Sequence, residues 1–300
     1  MPSLARCLRH SAVKVRAAAA QALGRIPLPS AAAALNDWVS VVPVTKLYGR
    51  TVLDRWPIML ACRSLGQLRD GGIPTASSAT WALLERYAAW LSEPQPEYQF
   101  WYERWIGSLH DPLALEPLLA RLDQLTAGRH DTSAGHYLQS VAQALGELGD
   151  RRACPPLKAL LTTLPNEAAV KLAIAEALAR LGDPDGPDYL MGVAGAGAQW
   201  SQVAARALAS GLEIADSDKL VDLLGSADPA VRAYAAIALI HNGRRDLGIP
   251  TLQAFVESPD RHSRQPTIRL FGVYKTAVEA IGDPLDSWSA KAERLFPPLD

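Results

Sequence analysis

The chain has 300 residues, 49% hydrophobic and 20% charged, and a formal net charge of −1. That apolar content is ample for a core, while the most apolar stretch, Ala233–Ile240, is too short to cross a bilayer. Its three cysteines, Cys7, Cys62 and Cys154, lie far apart without CxxC spacing, which argues against a disulfide framework or a structural zinc and fits a reducing compartment.

At the N-terminus, residues 1–36 are basic and free of acids, as an organellar transit peptide would be. Yet Val15–Ile26 (VRAAAAQALGRI) already shows a pattern that the chain repeats, so a cytoplasmic location is expected. Residues 1–70 hold ten Lys/Arg against three acids, a charge of +7 that leaves −8 for the remainder. Such polarity can steer an acidic partner.

The helix-period pattern returns at Tyr137–Asp150 (YLQSVAQALGELGD), Val170–Asp183 (VKLAIAEALARLGD) and Val231–Gly243 (VRAYAAIALIHNG). Its copies align on a large apolar residue that is usually followed by a small one: Leu23-Gly24, Leu65-Gly66, Ile106-Gly107, Leu145-Gly146, Leu178-Ala179, Leu208-Ala209, Leu239-Ile240 and Val278-Glu279. The intervals, 42, 41, 39, 33, 30, 31 and 39 residues, mark a stacked-repeat architecture. Between these second helices, first helices open on turn signals: Asp111-Pro112, Cys154-Pro155-Pro156, Asp218, and Ile249-Pro250 in an opening turn. Residues 1–110 read as irregular, longer repeats, 111–283 as regular short repeats and 284–300 as a C-terminal cap, in a single domain.

Ser226-Ala227-Asp228-Pro229-Ala230-Val231-Arg232, followed by Ala235-Ala236 and Ala238-Leu239, resembles the DPxVRxxAAxAL signature of short HEAT repeats of the phycobilisome-lyase type. The resemblance implies an all-α fold, a right-handed α-solenoid of about eight HEAT-like helix pairs. It also implies that Asp228 caps its helix and that Arg232, with Arg16 in the equivalent place, joins a polar ladder between repeats. In HEAT-type stacks the second helices line the concave surface. One exposed row would then be Gln21, Arg63, Arg104, Gln143, Glu176, Arg206, Ile237 and Thr276, and another Arg25, Gln67, Ser108, Glu147, Arg180, Ser210 and His241.

Tyr98–Trp105 (YQFWYERW) carries five aromatics, which suit either a ligand pocket or the core; Tyr98, Trp101, Tyr102 and Trp105 share one helical face, which favours core, and Phe100 and Arg104 fall off it. No HxxxH or HE pair occurs, and Gly192–Trp200 (GVAGAGAQW) lacks the GK[ST] of a phosphate loop and reads as a turn. Asp131–His136 holds Asp, Ser and His in sequence but not in triad spacing. No metal, cofactor or catalytic residue is expected. Nucleic acid would need a denser basic stripe. The expectation is therefore a non-enzymatic adaptor that binds a protein, with an acidic segment, through Arg25, Arg63, Phe100, Arg104, Glu147, Arg180, Arg206 and His241. The alternative, implied by the resemblance alone, is a bilin lyase-type subunit acting on a phycobiliprotein; Leu118–Leu161 carries its best local likeness.

Overall fold

The structure, a computed structural model, describes residues 2–41, 44–47, 50–53, 55–91, 99–127, 134–164 and 168–257. For residues 44–47, 50–53, 90, 99, 100, 134, 256 and 257 it describes the backbone element only. The chain divides into two compact units, Met1–Leu181 and Gly182–Asp300. Apart from one hairpin, the regular elements among the described residues of both are helices, packed in neighbouring pairs within each.

In the first unit the pairs are α1 (Pro2–Cys7) with α2 (Val13–Gly24), α3 (Pro29–Ser40) with α4 (Arg55–Asp70), and α5 (Ser78–Leu91) with α6 (Gln99–Gly107). There follow α7 (Leu115–Ala127) with α8 (Ala134–Leu148), and α9 (Cys154–Thr163) with α10 (Ala168–Arg180). The second helices α2, α4, α6, α8 and α10 stack each on the next. One short antiparallel hairpin, β1 (Val44–Leu47) paired with β2 (Arg50–Leu53), fills the long connection between α3 and α4.

The leucines that set the alignment, Leu23, Leu65, Leu145 and Leu178, are all buried. The glycines beside the marker residues, Gly24, Gly66, Gly107 and Gly146, are where consecutive second helices of this unit come closest. A Cβ built at Gly107 would lie 2.5 Å from the Ala144 carbonyl oxygen, and one at Gly146 would lie 2.7 Å from Ala177 Cα. Only a residue without a side chain permits that approach. The Gly-Asp that follows ends one helix and starts the next. Gly149 takes φ 79°, and the Asp150 carboxylate accepts from the Arg152 amide at 3.0 Å. Asp111 caps in the same way, accepting from Leu113 at 3.2 Å.

The second unit holds α11 (Asp185–Gly195), α12 (Ser201–Leu208), α13 (Lys219–Asp222), α14 (Pro229–His241) and α15 (Arg245–Glu257). Leu208 and Leu239 are buried. Asp228 accepts from the Ala230 amide at 2.8 Å, the cap that the motif implied. Arg232 closes its own turn, its Nη1 donating to the carbonyls of Ser226 at 2.6 Å and Ala227 at 3.1 Å. Arg16 in the first unit does the same to His10 and Ser11, both at 2.6 Å. These bonds run within a repeat.

Three expectations are corrected. Ser108 and Ile237, assigned to exposed rows, are buried, Ser108 because its hydroxyl donates to Glu147 and Ile237 because α14 is covered on both sides by α12 and α15. Pro250 lies inside α15 rather than in its opening turn, because the helix begins at Arg245. Gly192–Trp200 closes α11 and turns into α12 through Gly197 at φ 64°, as expected. Val278, Thr276, the 284–300 cap and Asp131–Ser133 lie outside the described residues.

Candidate functional site

Helical register brings the aligned positions of the first unit to one side. Arg63 on α4 reaches Glu147 on α8 at 4.0 Å, and Ser108, which follows α6, donates to the same carboxylate at 2.5 Å. Glu147 thus gathers polar groups from α4 and from the turn after α6, Arg63 at the surface and Ser108 buried beneath it. Arg63 is 50% exposed and Glu147 19%, so the first is available to a partner and the second is mostly engaged. Arg25, the C-cap of the neighbouring α2, is exposed. Arg180 is exposed on α10 and holds Glu176 at 2.8 Å.

Arg104 departs from its expected exposure and is half-buried, because α6 is wedged between α4 and α8. The guanidinium over the Trp101 ring is that of Arg55, at 5.9 Å. Tyr102 and Trp105 are buried in edge contact at 5.2 Å, and Trp101 is half-buried, so these three aromatics serve the core. Tyr98 and the Phe100 side chain lie outside the described residues. In the second unit Arg206 and His241 are exposed.

The residue that sequence reasoning missed is Glu103. It is 0% exposed, inside α6. Its Oε1 accepts a 2.6 Å hydrogen bond from the Tyr87 hydroxyl on α5. Burial pushes its carboxyl up to about 7, even though the Tyr87 and Ser140 hydroxyls and the Arg121 charge pull the other way. Burial, together with the Glu103 charge, raises the Tyr87 phenol far above its ordinary range. Arg121 on α7 lies over the Tyr137 ring at 5.8 Å. The signal was in the alignment. Position −3 from the marker residue is Ala20, Cys62, Ala142, Ala175, Ala205 and Ala236 in the other described second helices, all fully buried, and Glu103 in this one.

In front of this group, between α5 and α7, lies a cleft of about 510 Å³ lined by Trp81, Leu84, Tyr87, Leu91, Pro117 and Arg121, with other residues. Trp81 stands 61% exposed.

Among the described residues no three His, Cys, Asp or Glu side chains come together as a metal site would need. A His–Asp contact does occur, His110 Nδ1 to Asp70 Oδ2 at 2.7 Å, at the ends of two successive second helices. Cys62 is buried, which drives its thiol far up and keeps it inert. No helix among the described residues is long and apolar enough to cross a membrane.

A family model described as HEAT repeats matches residues 122–209, and one described as HEAT repeat matches residues 1–26. Neither is specific to the phycobilisome-lyase type. No curated protein matches the chain. Among solved structures, human deoxyhypusine hydroxylase in complex with glycerol is 17% identical, covering 94% of this chain and 95% of that one, with a TM-score of 0.34. An engineered protein is 18% identical over 93% of this chain and 95% of its own, with a TM-score of 0.23. Geometric likeness this low says nothing about activity.

Proposed function

The chain is a HEAT-repeat protein, and we propose that it works as a non-enzymatic scaffold holding an extended, acidic segment of another protein along the second-helix face of its first unit. The observation behind this reading is the contact of Arg63 with Glu147, which links α4 to α8 over the buried Ser108 and leaves Arg63 half exposed. Such a face offers regularly spaced side chains to an extended chain. Its exposed cations, Arg25, Arg63 and Arg180, complement acidic groups, and residues 1–70 add a long-range field of +7.

The reading is tested by placing a photo-crosslinking side chain at Gln67, exposed on the second-helix face, and at Glu85, exposed on the first-helix side. Crosslinking to a stoichiometric, colourless protein from Gln67 and not from Glu85 is the expected result. Equal capture at both positions overturns the assignment of the face. A linear tetrapyrrole or a phycobiliprotein held by the chain would replace the scaffold with the bilin lyase.

A further inference from the structure

The scaffold reading leaves one built feature unused. Glu103 occupies a position at which six other second helices carry Ala or Cys, and each of those is fully buried. A stacked repeat therefore closes well without a carboxylate there. Burying one costs several kcal/mol in order of magnitude unless it is hydrogen-bonded and paired. Here the compensation is local to one place: Tyr87 from α5 donates to Glu103 at 2.6 Å, and the Arg121 charge from α7 favours its ionised form. Tyr87 and Arg121 also line the α5–α7 cleft. The carboxylate thus sits behind that cleft and holds the Tyr87 hydroxyl in place.

The cleft is about 510 Å³, inside the range of roughly 300–1,000 Å³ typical of sites for small organic ligands. Its walls are apolar and aromatic, from Trp81, Leu84, Leu91 and Pro117. Two charged residues line it. Glu85 is exposed, while Arg121 is half-buried beside Tyr87. An apolar body entering between the helices brings its head group to a cation, and a cationic head group would be repelled.

We propose that the α5–α7 cleft is a binding site for a small amphipathic carboxylate, its apolar body between Trp81, Leu84 and Leu91 and its carboxylate on the Arg121 guanidinium. A guanidinium carries five N–H donors in a fork suited to a carboxylate, so Arg121 serves a ligand while keeping its contacts with Tyr87 and the Tyr137 ring. Its existing contact to Gln124 Oε1 is long, 3.4 Å, and is the one a ligand oxygen displaces. Glu103 acts as the positioning residue: it accepts the Tyr87 hydrogen bond and so holds that hydroxyl at the inner end of the cleft.

The probes are decanoate and decyltrimethylammonium, each below its micellar concentration, and decanol, below its solubility limit, titrated into the full chain by calorimetry. Decanoate is expected to bind with one site per chain, with the alcohol at least about tenfold weaker, because a hydrogen bond to a charged group contributes more than the roughly 1.4 kcal/mol that tenfold represents. The ammonium should not bind. Arg121→Gln should lower decanoate affinity by about tenfold or more on the same grounds. Trp81→Ala should lower it several-fold with an unchanged melting temperature, since Trp81 is largely exposed. That second variant decides the matter if Arg121→Gln fails to fold. Equal affinity for the three probes, binding at several sites, or full affinity in Trp81→Ala overturns the proposal.

Discussion

At the scale of single residues, the third repeat breaks the pattern twice. Glu103 replaces a buried Ala, and burial raises its carboxyl to about 7 from an ordinary value near 4.5. A raised carboxyl contributes stability below the unfolded value and loses it as pH rises through the folded one, on the order of 3 kcal/mol across that window. The protein should therefore unfold at lower denaturant at pH 8 than at pH 5. Glu103→Gln keeps an oxygen for Tyr87 and should flatten this dependence; an unchanged slope would mean that the carboxyl is hydrated. Asp111 acts with the opposite sign at lower pH. Burial pushes it up, but hydrogen bonds from Thr80, Ser77 and the Leu113 amide, with the Arg69 charge, hold it below the usual range, so its contribution disappears in acid. The second break is His110, at φ 49°, where the following repeats place Gly149 and Gly182 in the same left-handed region. The same residue meets Asp70 at 2.7 Å. His110→Ala loses the contact and keeps the strain, whereas His110→Gly loses both, so Gly should be the more stable variant by about 1 kcal/mol in urea unfolding. Equal stability would place the backbone elsewhere.

At the scale of helices, the close crossings along α4, α6, α8 and α10 set the cost of change. Gly107→Ala gains helix propensity of up to about 1 kcal/mol but drives a methyl to within 2.5 Å of the Ala144 carbonyl. Overpacking should win, with a net loss of about 1–3 kcal/mol by chemical denaturation. The glycine-to-alanine change at Gly192, which has open space around it, should show the opposite sign. This register was legible because burial at a fixed crossing repeats the same residue type: Leu23, Leu65, Leu145 and Leu178 were placed correctly from spacing alone. The Gly-Asp turns were legible for a similar reason, one residue ending a helix and the next capping another. What spacing missed depends on which side chains meet across repeats. Ser108 is buried because Glu147, 39 residues away, takes its hydroxyl, and no local period encodes that. Arg104 lost its exposure to the neighbours of α6. Glu103 was hidden for the opposite reason: read along its own helix it is an ordinary charged residue, and only the Ala or Cys at the same position of the other second helices makes it foreign.

At the scale of the molecule, the uneven charge is the property with a kinetic consequence. Residues 1–70 carry +7 and the remainder −8, and Arg25 at the C-cap of α2 and Arg63 on α4 bring part of the positive share to the surface. If an acidic segment binds there, the field should raise its association rate, and salt should reduce that rate because the cations are exposed. Arg25→Glu with Arg63→Glu should slow association and flatten its salt dependence. Arg104 is left unchanged, because reversing a half-buried charge would confuse folding with binding. The fold should tolerate the pair. Arg63 meets Glu147 at 4.0 Å while half exposed, and exposed ion pairs contribute about 0–1 kcal/mol. Association measured by stopped flow over a range of salt, beside thermal melting of the same variant, separates the outcomes. A slower, less salt-sensitive rate with an unchanged melting temperature supports the second-helix face. An unchanged rate moves the partner off that face, and a melting temperature lowered by many degrees makes the two arginines part of the scaffold's own stability.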